Sequence, residues 1–211
     1  MEIITSFDNK RIKNASKLLS KKARDEEGKF LVEGEHLVEE AFKAGLLLEV
    51  FKCEEVERNF DVPTTLVTYD VIKKLSNTVN PQKIIGVVKK MAEKELGNKI
   101  LLLDDIQDPG NLGTIIRSSL AFDIDSIVLS NNSVDLYNDK VIRSSEGMIF
   151  HLNIVRKDIK EVIDSLHNKE YEILGTNVTN GINVNNVKVN NKYALVMGNE
   201  GQGVHEEISN L

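Results

Sequence analysis

Two kinds of apolar pattern alternate along the chain, and their order predicts its elements. From residue 100 onward, short and nearly continuous apolar runs recur at Ile100–Leu103, Ser126–Leu129, Phe150–Val155, Glu172–Leu174 and Tyr193–Met197. Runs this short, with no polar face, read as strands buried on both sides. Between them, apolar residues at three- and four-residue spacing predict helices at about 112–122, 139–145 and 158–168. In the first of these, Leu112, Ile115, Ile116 and Leu120 share one face. Such βαβ alternation is the pattern of an α/β fold with a parallel sheet covered by helices. Gly181–Asn191, rich in Asn and Val, reads as a loop or a short extended piece.

The upstream pattern is shorter in period and more polar. Residues 1–24 predict a short start and then one helix, with Ile12, Ala15, Leu18, Leu19 and Ala23 as its apolar stripe and Asp25-Glu26-Glu27-Gly28 as its end. Phe30–Val32 reads as a strand, and 35–44 as a helix with Leu37, Val38, Ala41 and Phe42 inward and Gly45 as its stop. Leu46–Phe51, Thr65–Thr68 and Ile84–Val88 are β-like, and Asp70 is expected to cap a short helix through Leu75. These elements predict a small α/β domain over residues 1–91. Lys89–Lys99, polar and carrying charges of both signs, reads as a linker to a second domain over 97–211. His205–Leu211 begins a helix with no element after it, so that second domain reads as cut short.

Composition narrows the class. An apolar fraction of 41% and a charged fraction of 28% over 211 residues are those of a soluble globular chain. No apolar run approaches the length of a membrane span, and the N-terminus lacks the pattern of a signal peptide. One cysteine, Cys53, in a predicted strand, leaves no disulfide framework and fits a cytoplasmic protein. The net charge of −6 argues against nucleic acid as a partner, but its distribution argues the other way. Residues 9–24 hold Lys10, Arg11, Lys13, Lys17, Lys21, Lys22 and Arg24 with no acid among them. Such a block is either a phosphate footprint or a solvated helix face.

Two stretches carry candidate chemistry. Asp105-Ile106-Gln107-Asp108-Pro109-Gly110-Asn111 follows the first C-terminal strand, with turn residues at its centre and Asn111 read as the helix N-cap. Arg117 lies about 9 Å further along that helix axis, and its side chain leans back toward the helix start. An amide and a guanidinium therefore serve one cleft, unless Arg117 is simply a solvated helix residue. The second stretch is Gly198-Asn199-Glu200-Gly201-Gln202-Gly203, a glycine-rich turn after the last strand. Glu200 occupies the place where a dinucleotide fingerprint needs glycine. A carboxylate there opposes a pyrophosphate and suits a neutral or cationic ligand, a sulfonium among them. Arg143-Ser144-Ser145-Glu146-Gly147 closes another helix and carries little information alone. The four histidines lack ligand spacing, so no metal site is expected, and no nucleophile elbow is present.

Leu102–Arg117 resembles the first signature motif of the SpoU (TrmH-like) RNA ribose 2′-O-methyltransferases, and Ala194–Gly203 resembles the second. Val141–Leu152 matches the helix and strand between them, with Glu146 standing where small residues are common. Phe30-Leu31-Val32-Glu33-Gly34 resembles the start of the substrate-binding domain of many members, itself similar to a small ribosomal RNA-binding protein. The resemblance implies a SPOUT-type parallel sheet with an incomplete trefoil knot, because the third, Ser-Leu-Asn-containing motif has no counterpart within these residues. It implies S-adenosylmethionine as cofactor, RNA as partner, a homodimer through the C-terminal domain, and neither metal nor membrane. Carried onto this sequence, Asn111, Arg117 and Glu200 become catalytic candidates, with Arg117 acting on the ribose hydroxyl. Thr176, Asn177, Gly198, Asn199 and Gly201 become cofactor contacts, and Lys10, Arg11, Arg143 and Ser145 become RNA contacts. Ribosomal RNA is the expected substrate. Transfer RNA and a non-catalytic RNA-binding relative are the alternatives, and a nucleotide-binding oxidoreductase fails on Glu200.

Overall fold

A computed structural model describes residues 3–177 and 181–211. The helices in chain order are α1 (Lys10–Lys17), α2 (Lys21–Glu27), α3 (Glu35–Lys43), α4 (Tyr69–Lys74), α5 (Pro109–Ala121), α6 (Asp139–Ser144), α7 (Ile159–His167) and α8 (Glu206–Ser209). The strands are β1 (Lys29–Glu33), β2 (Leu47–Lys52), β3 (Thr64–Leu66), β4 (Ile84–Lys89), β5 (Lys99–Leu103), β6 (Ser126–Leu129), β7 (Asn153–Arg156), β8 (Glu172–Gly175) and β9 (Tyr193–Met197). The chain folds as two compact units, residues 1–92 with 137–150, and residues 93–136 with 151–211. A segment inside the C-terminal half thus belongs to the first unit, which no apolar pattern announces.

The first unit is built on a four-stranded sheet of order β1-β4-β2-β3, with β4 antiparallel to β1 and β2, and β3 parallel to β2. Alternate residues of β1 serve two cores, as the two-residue period of a strand requires. Leu31 packs with Ile85 and Val87 against Ile12 and Ala15 of α1, Leu18 just beyond it, and Val71 and Ile72 of α4. Phe30, on the opposite face, lies 4.8 Å from the Tyr137 ring and 6.3 Å from that of Phe150. Each fully buried aromatic or aliphatic side chain of this kind stabilises by about 1.5–3 kcal/mol. The C-terminal-half segment is therefore fastened to the first unit by its apolar residues.

Several local expectations need correction. The basic N-terminal run is two helices, because Ser20 accepts from the Ala23 amide at 3.3 Å and caps a new helix. Arg24 is buried and donates to the Leu18 and Leu19 carbonyls at 3.0 and 2.9 Å, where the first helix ends. Phe42 is 40% exposed and rests on Phe60 rather than in the core. Thr68, not Asp70, precedes α4, and Asp70 pairs within the first turn with Lys73 at 3.1 Å. Cys53 lies just beyond β2, where burial, with Glu55 adding to it, pushes its thiol up. Phe150 falls in a 3₁₀ turn, Met148–His151, ahead of β7. Glu146 and Gly147 both adopt positive φ there and turn the chain before the strand can start.

The second unit is an all-parallel five-stranded sheet of order β7-β6-β5-β9-β8. On one face Ile100, Leu102, Val128, Val155, Ala194 and Val196 pack against Ile159, Val162, Ile163 and Leu166 of α7. α5 buries Leu112 and Ile116, while Ile115 and Leu120 are half-buried. From β5 the chain steps outward to β6 and β7, then crosses to the far edge at β8 and returns to β9 beside β5. The winding direction therefore reverses between β5 and β9, and ligands of open α/β sheets lie outside the carboxyl ends of such a strand pair. Between β8 and β9, Val184–Asn186 forms one exposed 3₁₀ turn. Among the described residues no helix is long and apolar enough to cross a membrane.

Candidate functional site

Both glycine- and asparagine-bearing loops leave the two strands at the reversal. After β5, Asp105 takes φ 60 and redirects the chain toward α5. The cap of α5 is Asp108, whose carboxylate accepts from the Asn111 amide at 2.8 Å, with Pro109 at the first helical position. This corrects the reading of Asn111 as the N-cap. A proline pre-set for the helix places the cap one residue before itself, and Asn111 stands in the first turn with its side chain free for other work. That side chain donates from Nδ2 to Glu200 Oε1 in the loop after β9. The hydrogen bond ties the loop after β9 to the first turn of α5. Arg117, two turns into α5, is exposed and has no hydrogen bond or ion pair among the described residues.

The loop after β9 is closed by its own backbone. Asn199 and Gly203 exchange two amide–carbonyl bonds, at 3.0 and 2.8 Å. The Asn199 side chain accepts from the Gly201 and Gln202 amides at 2.8 and 3.3 Å and donates to the Asp105 carbonyl at 3.0 Å. At Gly198 a Cβ would stand 2.0 Å from the Gly203 carbonyl carbon and 2.2 Å from the Val204 nitrogen, so the loop closes only over glycine. Thr176, beyond β8, donates from its amide and hydroxyl to the Val196 carbonyl at 3.1 and 3.2 Å. One cleft is lined by Thr176, Asn177, the 198–204 loop and Ser209. All five expected cofactor contacts thus border it, and Glu200 links it to α5.

Asp104 and His205 form a second link at the strand ends, one that residue types alone do not announce. Asp104 is buried, and its Oδ2 accepts from both the backbone amide and Nδ1 of His205, at 2.9 and 2.8 Å. The hydrogen bond and charge of Asp104 raise the His205 imidazole above its usual value, with Asp105 and Glu207 adding to the effect. The pair fastens the end of the glycine-rich loop to the end of β5. A histidine within two residues of a glycine turn, facing an acid after a neighbouring strand, is a signal only once strand order is known.

The expected RNA contacts lie in the first unit. Lys10 is exposed at the start of α1, whereas Arg11 is held by Glu49, with Nε at 2.9 Å from its carboxylate. Arg143 pairs with Asp139 one turn away at 2.6 Å. Ser145 is fully buried and donates to the Ile142 carbonyl at 2.8 Å, so its side chain offers RNA no surface and supports the turn instead. Among the described residues no cluster of His, Cys, Asp or Glu is arranged to hold a metal ion.

Comparison with known proteins gives this geometry a family. The SpoU rRNA Methylase family model matches residues 98–211, and the MRM3-like substrate binding domain matches residues 9–86. The 23S rRNA (guanosine(2553)-2′-O)-methyltransferase RlmP of Bacillus subtilis is 37% identical over 210 residues, covering 97% of this chain and 85% of its own. The AdoMet-bound rRNA methyltransferase of Sinorhizobium meliloti superposes with a TM-score of 0.85 at 26% identity, over 99% of this chain and 85% of that one. A putative RNA methyltransferase of the TrmH family from Porphyromonas gingivalis superposes with a TM-score of 0.87 at 26% identity, over 97% and 86%. The chain belongs to the SpoU rRNA methylase family, as an S-adenosylmethionine-dependent RNA methyltransferase with a SPOUT-type α/β sheet and an N-terminal substrate-binding domain.

Proposed function

We propose that this chain methylates a ribose 2′-hydroxyl of 23S-type ribosomal RNA, with the cleft after β8 and β9 holding the methyl donor and the α5 side presenting the ribose. The single observation that carries the reading is the Asn111–Glu200 hydrogen bond. It joins the loop after β9 to the first turn of α5, the helix that carries Arg117.

The donor set of the cleft suits S-adenosylmethionine. Among the described residues its lining offers backbone amides, hydroxyls and side-chain amides, with Glu200 as its one charged group and no lysine or arginine. Thr176, Asn177, Gly198, Asn199 and Gly201 would hold the cofactor, and the Gly198 closure lets backbone rather than side chains form the wall. When bound, S-adenosylmethionine supplies an electrophilic methyl group on a positively charged sulfur. Glu200 favours that charge electrostatically while its hydrogen bond to Asn111 holds the loop. Arg117 has a guanidinium uncommitted to any acceptor among the described residues. Aimed at the ribose, it stabilises the alkoxide character that develops on the 2′-oxygen and orients an adjoining phosphate. A guanidinium does not readily give up its proton, so this role fits it better than that of a base. Alignment of hydroxyl, methyl carbon and sulfur is worth about 7–11 kcal/mol in favourable systems, which is why fixed loops matter here.

Lys10, Arg11 and Arg143 supply phosphate contacts in this reading, the last two by exchanging their carboxylate partners. The reading includes a homodimer through the second unit and a cytoplasmic location. Exposed Phe122, at 78%, is the first position to probe for a dimer contact by sedimentation. The deciding experiment incubates the chain with methyl-labelled S-adenosylmethionine and unmodified 23S or transfer RNA, then maps ribose methylation. A 2′-O-methyl nucleotide in 23S RNA is expected. Labelling of transfer RNA alone, or binding without label, overturns the reading.

A further inference from the structure

The loops of the methyl-donor site rest on a residue outside both signature stretches. Arg156, the last residue of β7, directs its guanidinium across the end of β6 into the turn 130–134. Nη1 donates to the Ser130, Asn131 and Ser133 carbonyls at 2.6, 3.1 and 2.9 Å, and Nη2 donates to the Val134 carbonyl at 2.6 Å. Four carbonyls converging on one cation fix the shape of a turn that has no helix or strand of its own.

That turn works on the loop after β5. Ser130 Oγ accepts from the Asp105 amide at 2.9 Å, and Ser133 Oγ accepts from the Ile106 amide at 3.2 Å. The two hydroxyls lie 2.9 Å apart, and both residues are buried. Asp105 is the residue with φ 60, a conformation that costs an L-residue energy and persists where its surroundings impose it. Two further bonds come from the same turn: Val134 donates to the Ile106 carbonyl at 2.9 Å, and Gln107 Nε2 donates to the Asn132 carbonyl at 2.8 Å. The Asp105 carbonyl, so placed, accepts from Asn199 Nδ2 at 3.0 Å, and Asn199 in turn holds the Gly201 and Gln202 amides.

We propose that Arg156 is a positioning residue for methyl-donor binding, acting through the 130–134 turn and Asp105 on Asn199 of the glycine-rich loop. The chain of contacts runs from the edge strand β7 across β6 and β5 to the loop after β9. Its function is to hold Asp105 in its strained conformation with the carbonyl facing Asn199. The inference rests on the methyl-donor reading of the cleft.

The test is a double-mutant cycle read by calorimetry with S-adenosylmethionine, using Arg156→Ala, Asn199→Ala and the pair. Each single change is expected to weaken cofactor binding about tenfold, the size of leaving buried acceptors or donors unpaired. If Arg156 acts through Asn199, removing it from the Asn199→Ala background costs little more, and the effects are strongly non-additive. Fully additive losses, or cofactor affinity in Arg156→Ala within twofold of the parent, overturn the proposal. Methylguanidinium added to Arg156→Ala is expected to restore cofactor affinity, an outcome that a general loss of folding would not give. Should Arg156→Ala fail to fold, Ser133→Ala removes one link of the same chain and is expected to weaken binding severalfold, while no change overturns the proposal. Failure of the parent chain to bind S-adenosylmethionine would instead defeat the reading of the cleft.

Discussion

The cations of the first unit and Arg117 of the second are treated differently by their surroundings. Arg11 has Glu49, Lys13 has Asp8 at 2.7 Å, Arg143 has Asp139, and Arg24 is committed to two backbone carbonyls. Arg117 has no such partner among the described residues. Exposed ion pairs of the first kind are worth at most about 1 kcal/mol, so a phosphate can replace the carboxylate at little cost. A surface of this kind binds adaptably and with strong salt dependence. Arg117 is different: it lies further along α5 from Asn111, whose side chain donates to Glu200 of the loop after β9. In the proposed role it meets charge that develops only during reaction, with no partner among the described residues to be exchanged first.

The largest test of this contrast is Arg117→Ala. It is expected to lower kcat by about 10²–10³-fold, the usual cost of losing a charge-stabilising donor at the reacting atom. Calorimetry should find S-adenosylmethionine affinity nearly unchanged, because Arg117 holds none of the cleft's walls in place. Retained turnover would remove Arg117 from the chemistry and with it half of the contrast. Gly198→Ala is next. Its Cβ would collide with the Gly203 and Val204 backbone, whose atoms are not the ends of flexible side chains. Overpacking of this sort costs about 1–3 kcal/mol, here borne by the loop itself. Cofactor affinity should fall about tenfold or more, with RNA binding by the first unit intact. Equal losses of both would mean that the loop is not an independent, preformed wall.

Charge reversal at Lys10 and Arg11 tests the other side. Filter binding at two salt concentrations should show weaker RNA affinity and a salt slope reduced by about one for each phosphate no longer neutralised. The Lys10→Glu change should act alone, whereas Arg11→Glu also sets a like charge against Glu49. An unchanged slope would make the N-terminal block a solvated face and not a phosphate footprint.

What the sequence made legible follows from the range of the interactions involved. The five strands of the second unit are apolar runs whose period needs no partner to be read, and each appears within a few residues of its expected place. Gly198, Asn199 and Glu200 stand in one short stretch, so their grouping was visible as well. Asp108 as the cap of α5 was also within reach, since Pro109 marks the first helical position. The contribution of Arg156 was not. Its acceptors are carbonyls of a turn more than twenty residues upstream, and carbonyls have no residue type to search for. The membership of residues 137–150 in the first unit was hidden for a related reason. Phe30 meets Tyr137 and Phe150 across more than one hundred residues, and an apolar pattern says that a side chain is buried without saying against what.

His205 gives the smallest effect and the finest test of how firmly the glycine-rich loop is held. Asp104 raises the imidazole in the folded chain, chiefly through the 2.8 Å hydrogen bond and then through charge. An unfolded chain would titrate it at about 6.5. A cation favoured by folding contributes stability fully below that unfolded value, and loses it as pH rises through the elevated folded value. The thermal midpoint should therefore decline slightly from about pH 6 upward, and His205→Ala should flatten that decline. His205 is 42% exposed on its side chain, so solvent screens the pair. The shift should stay under about 2 °C for a chain of this size. The backbone amide of His205 donates to Asp104 without need of the imidazole's proton. Cofactor affinity should accordingly vary less across this range than the melting midpoint does. A parallel collapse of both would show that the imidazole, and not the amide, holds the loop end in place.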